Sequence, residues 1–180
     1  MSLPGSASQE HAFDDELSPE VLRQLPGGVL STETDPRIVA NVLNASPAFA
    51  HFGLRVQLPH EVGDHIDWVG EAIPFIVEIP RIQPYHRGGT TVLSINGGVI
   101  AMVCDLSLGL TIMAPGLPLA KGSGVGRLNI RMGRPIEGRS ARAVATITAI
   151  RRNLIYARTV VQDEQGRDCV RAEGTIFRGR

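Results

Sequence analysis

The chain lacks most of the patterns that announce a chemistry. It contains no GxxxxGK[ST] phosphate loop, no GxGxxG, no HExxH and no GxSxG, which sets aside nucleotide hydrolysis, dinucleotide redox chemistry, zinc peptidases and α/β-hydrolases. It has only two cysteines, Cys104 and Cys169. They do not have the spacing of a metal site and read as reduced core residues of a cytosolic protein. No charged, apolar and cleavage-site series precedes the fold, so nothing marks the chain for export. Aromatic residues are scarce, eight in 180, and no basic patch is interleaved with them. This argues against a nucleic-acid partner, which needs both charge and stacking surfaces. Internal repeats, heptads and low-complexity runs are missing as well. Net charge is zero.

That zero conceals an asymmetry. Before Arg37 there are seven acids against Arg23 alone, whereas from Lys121 onward one lysine and twelve arginines face five acids. An arginine-rich segment suits a phosphate-bearing ligand, because the guanidinium fork matches phosphate oxygens; a solvated sheet face is the alternative. A chain of 180 residues forms one domain and buries roughly 70% of its unfolded surface without staples. Residues 1–35 mix Ser, Gly and acids around Pro26-Gly27-Gly28. They are expected to form a largely flexible arm holding at most a short helix, Pro19 to Gln24, capped by Ser18. Residues 36–180 are then the folded domain.

Asp35-Pro36 reads as an N-cap followed by a first-turn proline, with Ile38, Val39, Val42 and Leu43 on one side of the helix. Ser46-Pro47 breaks it, and Gly53 to Leu58 is predicted as a first strand. Residues 59–65 read as a loop. Pro74 and Pro80 mark Ala72 to Ile82 as an edge or bulged strand. Pro84 to Gly89 reads as a surface loop containing Tyr85, His86 and Arg87, and Thr90 to Ile95 as extended. Trp68 and Phe75 are expected in the core. After a loop at 116–124 come Val125 to Met132, Ala141 to Arg151, Leu154 to Asp163 and Asp168 to Phe177. Their alternation and short connections predict an antiparallel meander. In the second run Ala143, Ala145, Ile147 and Ala149 are assigned to one face.

The chain is organised around Asn96 to Pro115, NGGVIAMVCDLSLGLTIMAP. Between Gly97 and Ala114 the only charge is Asp105, and Pro115 ends the segment. The stretch is too short and too interrupted to span a bilayer, which wants about 20 apolar residues. It reads as a helix buried on nearly all sides, around which a sheet must wrap. An ionised carboxylate there costs several kcal/mol unless paired, so Asp105 is either well hydrogen-bonded or opens onto a cavity.

Three features in order resemble the hotdog-fold acyl-CoA thioesterases, in particular their phenylacetate-pathway-like branch. Asn96-Gly97-Gly98 is similar to that branch's His-Gly-Gly, with Asp105 nine residues on. Val125 to Pro135 (VGRLNIRMGRP) resembles its Thr-x-x-Leu-x-Ile-x-Phe-x-Arg-Pro. Asp163-Glu164-Gln165-Gly166, followed by Gly174-Thr175, resembles its closing turn and strand. The resemblance covers about Ser46 to Phe177.

It implies an α+β hotdog fold, an antiparallel sheet wrapped around one long helix, assembled as a homodimer or dimer of dimers with active sites at the interface. It implies acyl-CoA as substrate, a cytoplasmic protein, and no cofactor, metal, membrane or nucleic acid. The catalytic positions it implies are Asp105 as nucleophile or general base, the Gly97 N–H as oxyanion donor, and Asn96 assisting. The substrate-binding positions are Arg151 and Arg152 near the CoA phosphates, Val125, and Gly98 as packing. The chain departs from the pattern at Asn96, where the family carries His, and at Val125, where it carries Ser or Thr. Asn96 is equally an ordinary N-cap. Ser123 supplies a hydroxyl only if a bulge alters the strand alternation. A non-catalytic acyl- or CoA-binding protein therefore remains the alternative, and a hotdog hydratase a third class.

Overall fold

The computed structural model describes residues 35–58, 71–89, 91–113 and 123–178. The expected arm with its helix at 19–24, the loop at 59–65 and Trp68 lie outside the described residues. The first element is α1, Pro36–Asn44, where the Asp35 side chain accepts from the Arg37 N–H at 2.8 Å and Pro36 fills the first turn. The same device repeats in α2, Pro47–His51, capped by Ser46.

Strand β1, Arg55–Gln57, follows, then β2, Glu71–Ile79. A 3₁₀ turn, Pro84–His86, leads to α3, Gly97–Gly109, which continues as a 3₁₀ turn through Leu110–Met113. The remaining strands are β3, Gly124–Met132; β4, Ala141–Arg151; β5, Leu154–Asp163; and β6, Asp168–Phe177. All six form one antiparallel sheet in the order β1-β2-β4-β5-β6-β3.

Several expectations are corrected by this topology. β4, β5 and β6 form a meander, but β3 pairs with β6 at the far edge and not with β4. β2 is not an edge strand but lies between β1 and β4, and it is bulged, as the other expectation had it, between Ala72 and Ile76. A bulge is how a proline is accommodated inside a sheet, since it takes the missing N–H out of the ladder. Residues 91–94 form a turn closed by the Ser94 N–H donating to the Thr91 carbonyl, not an extended strand; only Ile95 makes a bridge, to Arg87. In β4, Ala143, Ala145 and Ile147 are buried as expected. The register slips between Ile147 and Ala149, so Ala149 stands opposite Tyr156, whose neighbours Ile155 and Ala157 face the core.

The sheet curls around α3. Ile100, Val103, Cys104, Ser107 and Leu108 are buried on its inner side, against small inward residues that let the helix approach. A β-carbon on Gly174 of β6 would stand 2.8 Å from Leu108 Cδ1. Ser107 Oγ lies 3.0 Å from Thr159 Oγ1, which donates on to the Val144 carbonyl at 3.1 Å. Ser107 is therefore the donor in the first of these bonds, and both hydroxyls are satisfied. At the β1 edge the Asn44 amide bonds both backbone groups of Val56, at 2.7 and 2.9 Å, which blunts an otherwise open edge.

The β5–β6 turn is built on Asp163. Its carboxylate accepts from the backbone N–H of Gln165 and of Arg167 and from the Arg167 guanidinium. Burial alone raises its pKa, but these bonds hold the carboxyl below the usual carboxylate range.

Candidate active site

The entry to α3 is tightly held. The Asn96 N–H donates to the His86 carbonyl at 2.7 Å, and its Nδ2 donates to the Gly88 carbonyl at 3.1 Å. Its Oδ1 accepts from the Gly98 N–H at 2.8 Å. Asn96 is thus an N-cap whose side chain is committed on both sides. A β-carbon on Gly98 would lie 3.1 Å from Asn96 Oδ1, so Gly98 makes room for the cap.

His86 is not on the surface as expected: it is completely buried. Its Nδ1 accepts from the Gln83 N–H at 2.9 Å, which places the proton on Nε2, 2.8 Å from the Phe52 carbonyl. Tyr85 beside it is exposed.

Gly97 sits at the first position of the helix and is exposed. Its N–H has no acceptor among the described residues. The first N–H groups of a helix have no intrahelical partner and carry the positive end of its dipole, so this amide is an available donor to an anion or carbonyl. A β-carbon here would meet only Met132 Cε, at 3.8 Å.

The helix is open along one stripe, contrary to burial on nearly all sides. Asn96, Gly97, Gly98 and Asp105 are its exposed residues. Asp105 lies two turns beyond Gly97, about 12 Å along the axis. Its carboxyl has no hydrogen-bond or ion-pair partner among the described residues, and partial burial raises its pKa. One step round the helix, Cys104 is fully buried, and burial together with the neighbouring Asp105 charge pushes its thiol up to about 12.

Asp105 opens onto a cavity of about 290 Å³. Ser123 and Val125 share that cavity with it, and among the described residues the rest of the lining is apolar apart from glycine. The β3–β6 register shifts between Val125 and Arg127, where a β-carbon on Gly126 would run into the Phe177 ring. A bulge therefore does occur in this strand, two to four residues after Ser123.

Arg151 and Arg152 lie, as expected, at the β4–β5 hairpin and are exposed; Arg152 has φ 52°. Leu154 pairs with Phe177 and Phe177 with Gly124, which sets the hairpin tip at the Val125 end of the sheet. Two strand spacings, about 10 Å, separate them. Asn96, Gly97 and Gly98 lie at the other end of α3, beside Met132. One chain therefore groups Asp105 with Val125, and separates both from the helix N-terminus.

The contribution of α1 and α2 to the cavity, and Gly109 within it, were not foreseen. The signal was present: a glycine inside an apolar helical run with no cap beside it asks for a reason. Among the described residues no helix is long and apolar enough to cross a membrane.

No family model matches the sequence, and no curated protein matches it. Among solved structures the chain is similar to a protein from Shewanella oneidensis related to the thioesterase superfamily, with TM-score 0.61 and 18% identity over 79% of this chain and 94% of that one. It is also similar to zebrafish thioesterase superfamily member 2, with TM-score 0.58 and 16% identity over 79% and 97%. The E. coli PaaI protein from the phenylacetic acid degradation operon gives TM-score 0.55 and 14% identity over 72% and 86%. The chain has the hotdog fold that these proteins share.

Proposed function

We propose that the chain is an acyl-CoA thioesterase whose active site is completed by a second copy. The observation that carries this reading is Asp105: a partnerless carboxyl with a raised pKa, on an otherwise apolar helix, opening onto an apolar cavity. A group so placed is a serviceable base near neutral pH, because desolvation makes its carboxylate hold a proton more tightly. The thioesterase-superfamily structures of the same fold support a thioester as the class of bond attacked.

The Gly97 amide is the oxyanion donor in this reading. It is about 12 Å from Asp105 in its own chain, so the two act on one carbonyl only when they come from different copies. The β3 edge, unpaired on its outer side among the described residues and running alongside α3, is where a second copy would join the sheet.

The carboxylate of Asp105 takes a proton from water as the oxygen attacks the thioester carbon. The negative charge that develops on the carbonyl oxygen is held by the Gly97 N–H of the other copy. Collapse of the tetrahedral intermediate breaks the C–S bond, and the proton on Asp105 passes to the departing thiolate. Asn96 orders the donor turn, Gly98 leaves space for it, and Val125 forms apolar wall. Arg151 and Arg152 hold CoA phosphates at the hairpin tip.

Release of free thiol over a panel of acyl-CoAs tests the reading. Thiol release that disappears in Asp105→Asn is expected. CoA-ester binding without thiol release would favour the non-catalytic acyl-binding alternative, for which Val125 speaks, standing where the family that the sequence resembles carries Ser or Thr.

A further inference from the structure

The cavity beside Asp105 has a length and a chemical character of its own. From α3 and its 3₁₀ extension it is lined by Asp105, Leu106, Gly109, Leu110, Ile112 and Met113, a single helical face. Asp105 to Met113 covers about 14 Å of axis, at about 1.5 Å per residue in the helix and 2.0 Å in the 3₁₀ turn. Val39 and Leu43, one turn apart on α1, and Phe49 of α2 form the opposing wall. Among the described residues the polar side chains in the lining are Asp105 and Ser123, against an otherwise apolar surface.

Gly109 gives the second observation. It is the last residue of α3 and passes directly into the 3₁₀ turn, and its φ is not positive, so it is not a left-handed helix cap of the kind that calls for glycine. A β-carbon would meet only Val125 Cγ2 at 3.8 Å, an ordinary contact. Neither backbone nor packing asks for glycine at this position. What its bareness provides is space in the cavity.

We propose that this cavity is a length gauge for an aliphatic acyl group of about six to ten carbons, entering at Asp105 and passing over Gly109 towards α1 and α2. The proposal rests on the thioesterase reading above. A zig-zag chain of C–C bonds near 1.5 Å advances about 1.3 Å per carbon, so about 14 Å accepts roughly ten carbons. Long-chain acyl groups exceed it, and acetyl leaves it mostly empty.

Two measurements on the whole protein test this. In the first, linear alkan-1-ols of four to fourteen carbons, whose neutral heads are not repelled by Asp105, are titrated calorimetrically. Affinity should rise about fourfold per methylene and stop rising between eight and ten carbons. In Gly109→Leu the break should move at least three carbons shorter. Gly109→Ala, compatible with the backbone, should move it by one and serves if the larger side chain prevents folding. In the second measurement, kcat/KM for octanoyl-CoA relative to butanoyl-CoA should drop at least tenfold in Gly109→Leu. An affinity that climbs unbroken to fourteen carbons, or a break that stays put in both variants, overturns the gauge. Thioester hydrolysis indifferent to chain length removes the gauge while leaving the thioesterase reading intact. A clear alkanol break without hydrolysis of any acyl-CoA removes that reading and keeps the gauge.

Discussion

Gly97 and Asp105 share one exposed stripe of α3 yet stand eight residues of unbroken helix apart, so no side-chain rotation brings the Asp105 carboxyl to the Gly97 amide. If both act in one site, the two lesions complement each other across copies. Gly97→Pro deletes the N–H at the first helical position, where proline fits. Asn96 already has the extended φ and ψ, −63° and 140°, that a residue before proline prefers. Gly97→Pro and Asp105→Asn should each be inactive alone. Unfolded and refolded together they should recover about a quarter of native turnover, since half of random pairs are mixed and each mixed pair has one intact site. Turnover that fails to return, with mixed dimers verified by mass spectrometry, counts against a shared site.

Asp105→Asn should lower kcat by roughly 10²-fold or more, the range for a lost general base, without destabilising the fold. The sign follows from the raised pKa. An acid with a folded pKa above its unfolded value of about 3.9 penalises the folded state once pH rises through that interval. Removing the charge at pH 7 should therefore leave the melting temperature unchanged or higher. Native turnover should climb with pH through the folded pKa and then level. A variant that melts well below the native protein would show that the carboxylate is structurally satisfied.

Asp163→Asn should behave in the opposite way. Its carboxyl is held below the normal range by bonds from Arg167 and Gln165. Its contribution is therefore fully present above about pH 4 and is lost as pH falls through the folded pKa. The substitution should cost about 1–3 kcal/mol at pH 7, read from urea midpoints, and the gap between native and variant should narrow below pH 4. Equal midpoints at pH 7 would contradict the role given to this turn.

Arg151→Ala with Arg152→Ala should weaken CoA binding and flatten its salt dependence, because exposed charge contacts are screened over about 8 Å at physiological ionic strength. Calorimetry at two salt concentrations checks this. Unchanged affinity would release both arginines from the site.

Much of this was legible because local signals and tertiary packing agree. Asp35-Pro36 announces its cap, and β4, β5 and β6 show their alternation between clear turns, whereas Ser46-Pro47 reads only as the end of α1 and the short α2 it caps was not foreseen. The apolar run from Gly97 to Ala114, with Asp105 its one charge, located the helix and its carboxyl. What was not legible is non-local. Nothing in the local pattern of β3 says that it pairs with β6 instead of β4, and Pro74 in β2 masks an interior strand that is bulged between Ala72 and Ile76. His86 reads as loop because its burial depends on Phe52, 34 residues away. The cavity escaped for the same reason: its two walls are α1 and α3, which no period in the sequence connects.

Cys104 carries a consequence for the chemistry next to it. The proposed reaction releases a thiol, and any thiolate within reach would compete with water for the acyl group. Cys104 directly precedes the carboxyl, yet it is turned into the core with its proton held up to about 12, and Cys169, also buried, is shifted upward as well. A thiol so shifted is a poor nucleophile at neutral pH. Both cysteine thiols are thereby silent, and the acyl group has water as its acceptor, with no route onto the protein's own cysteines.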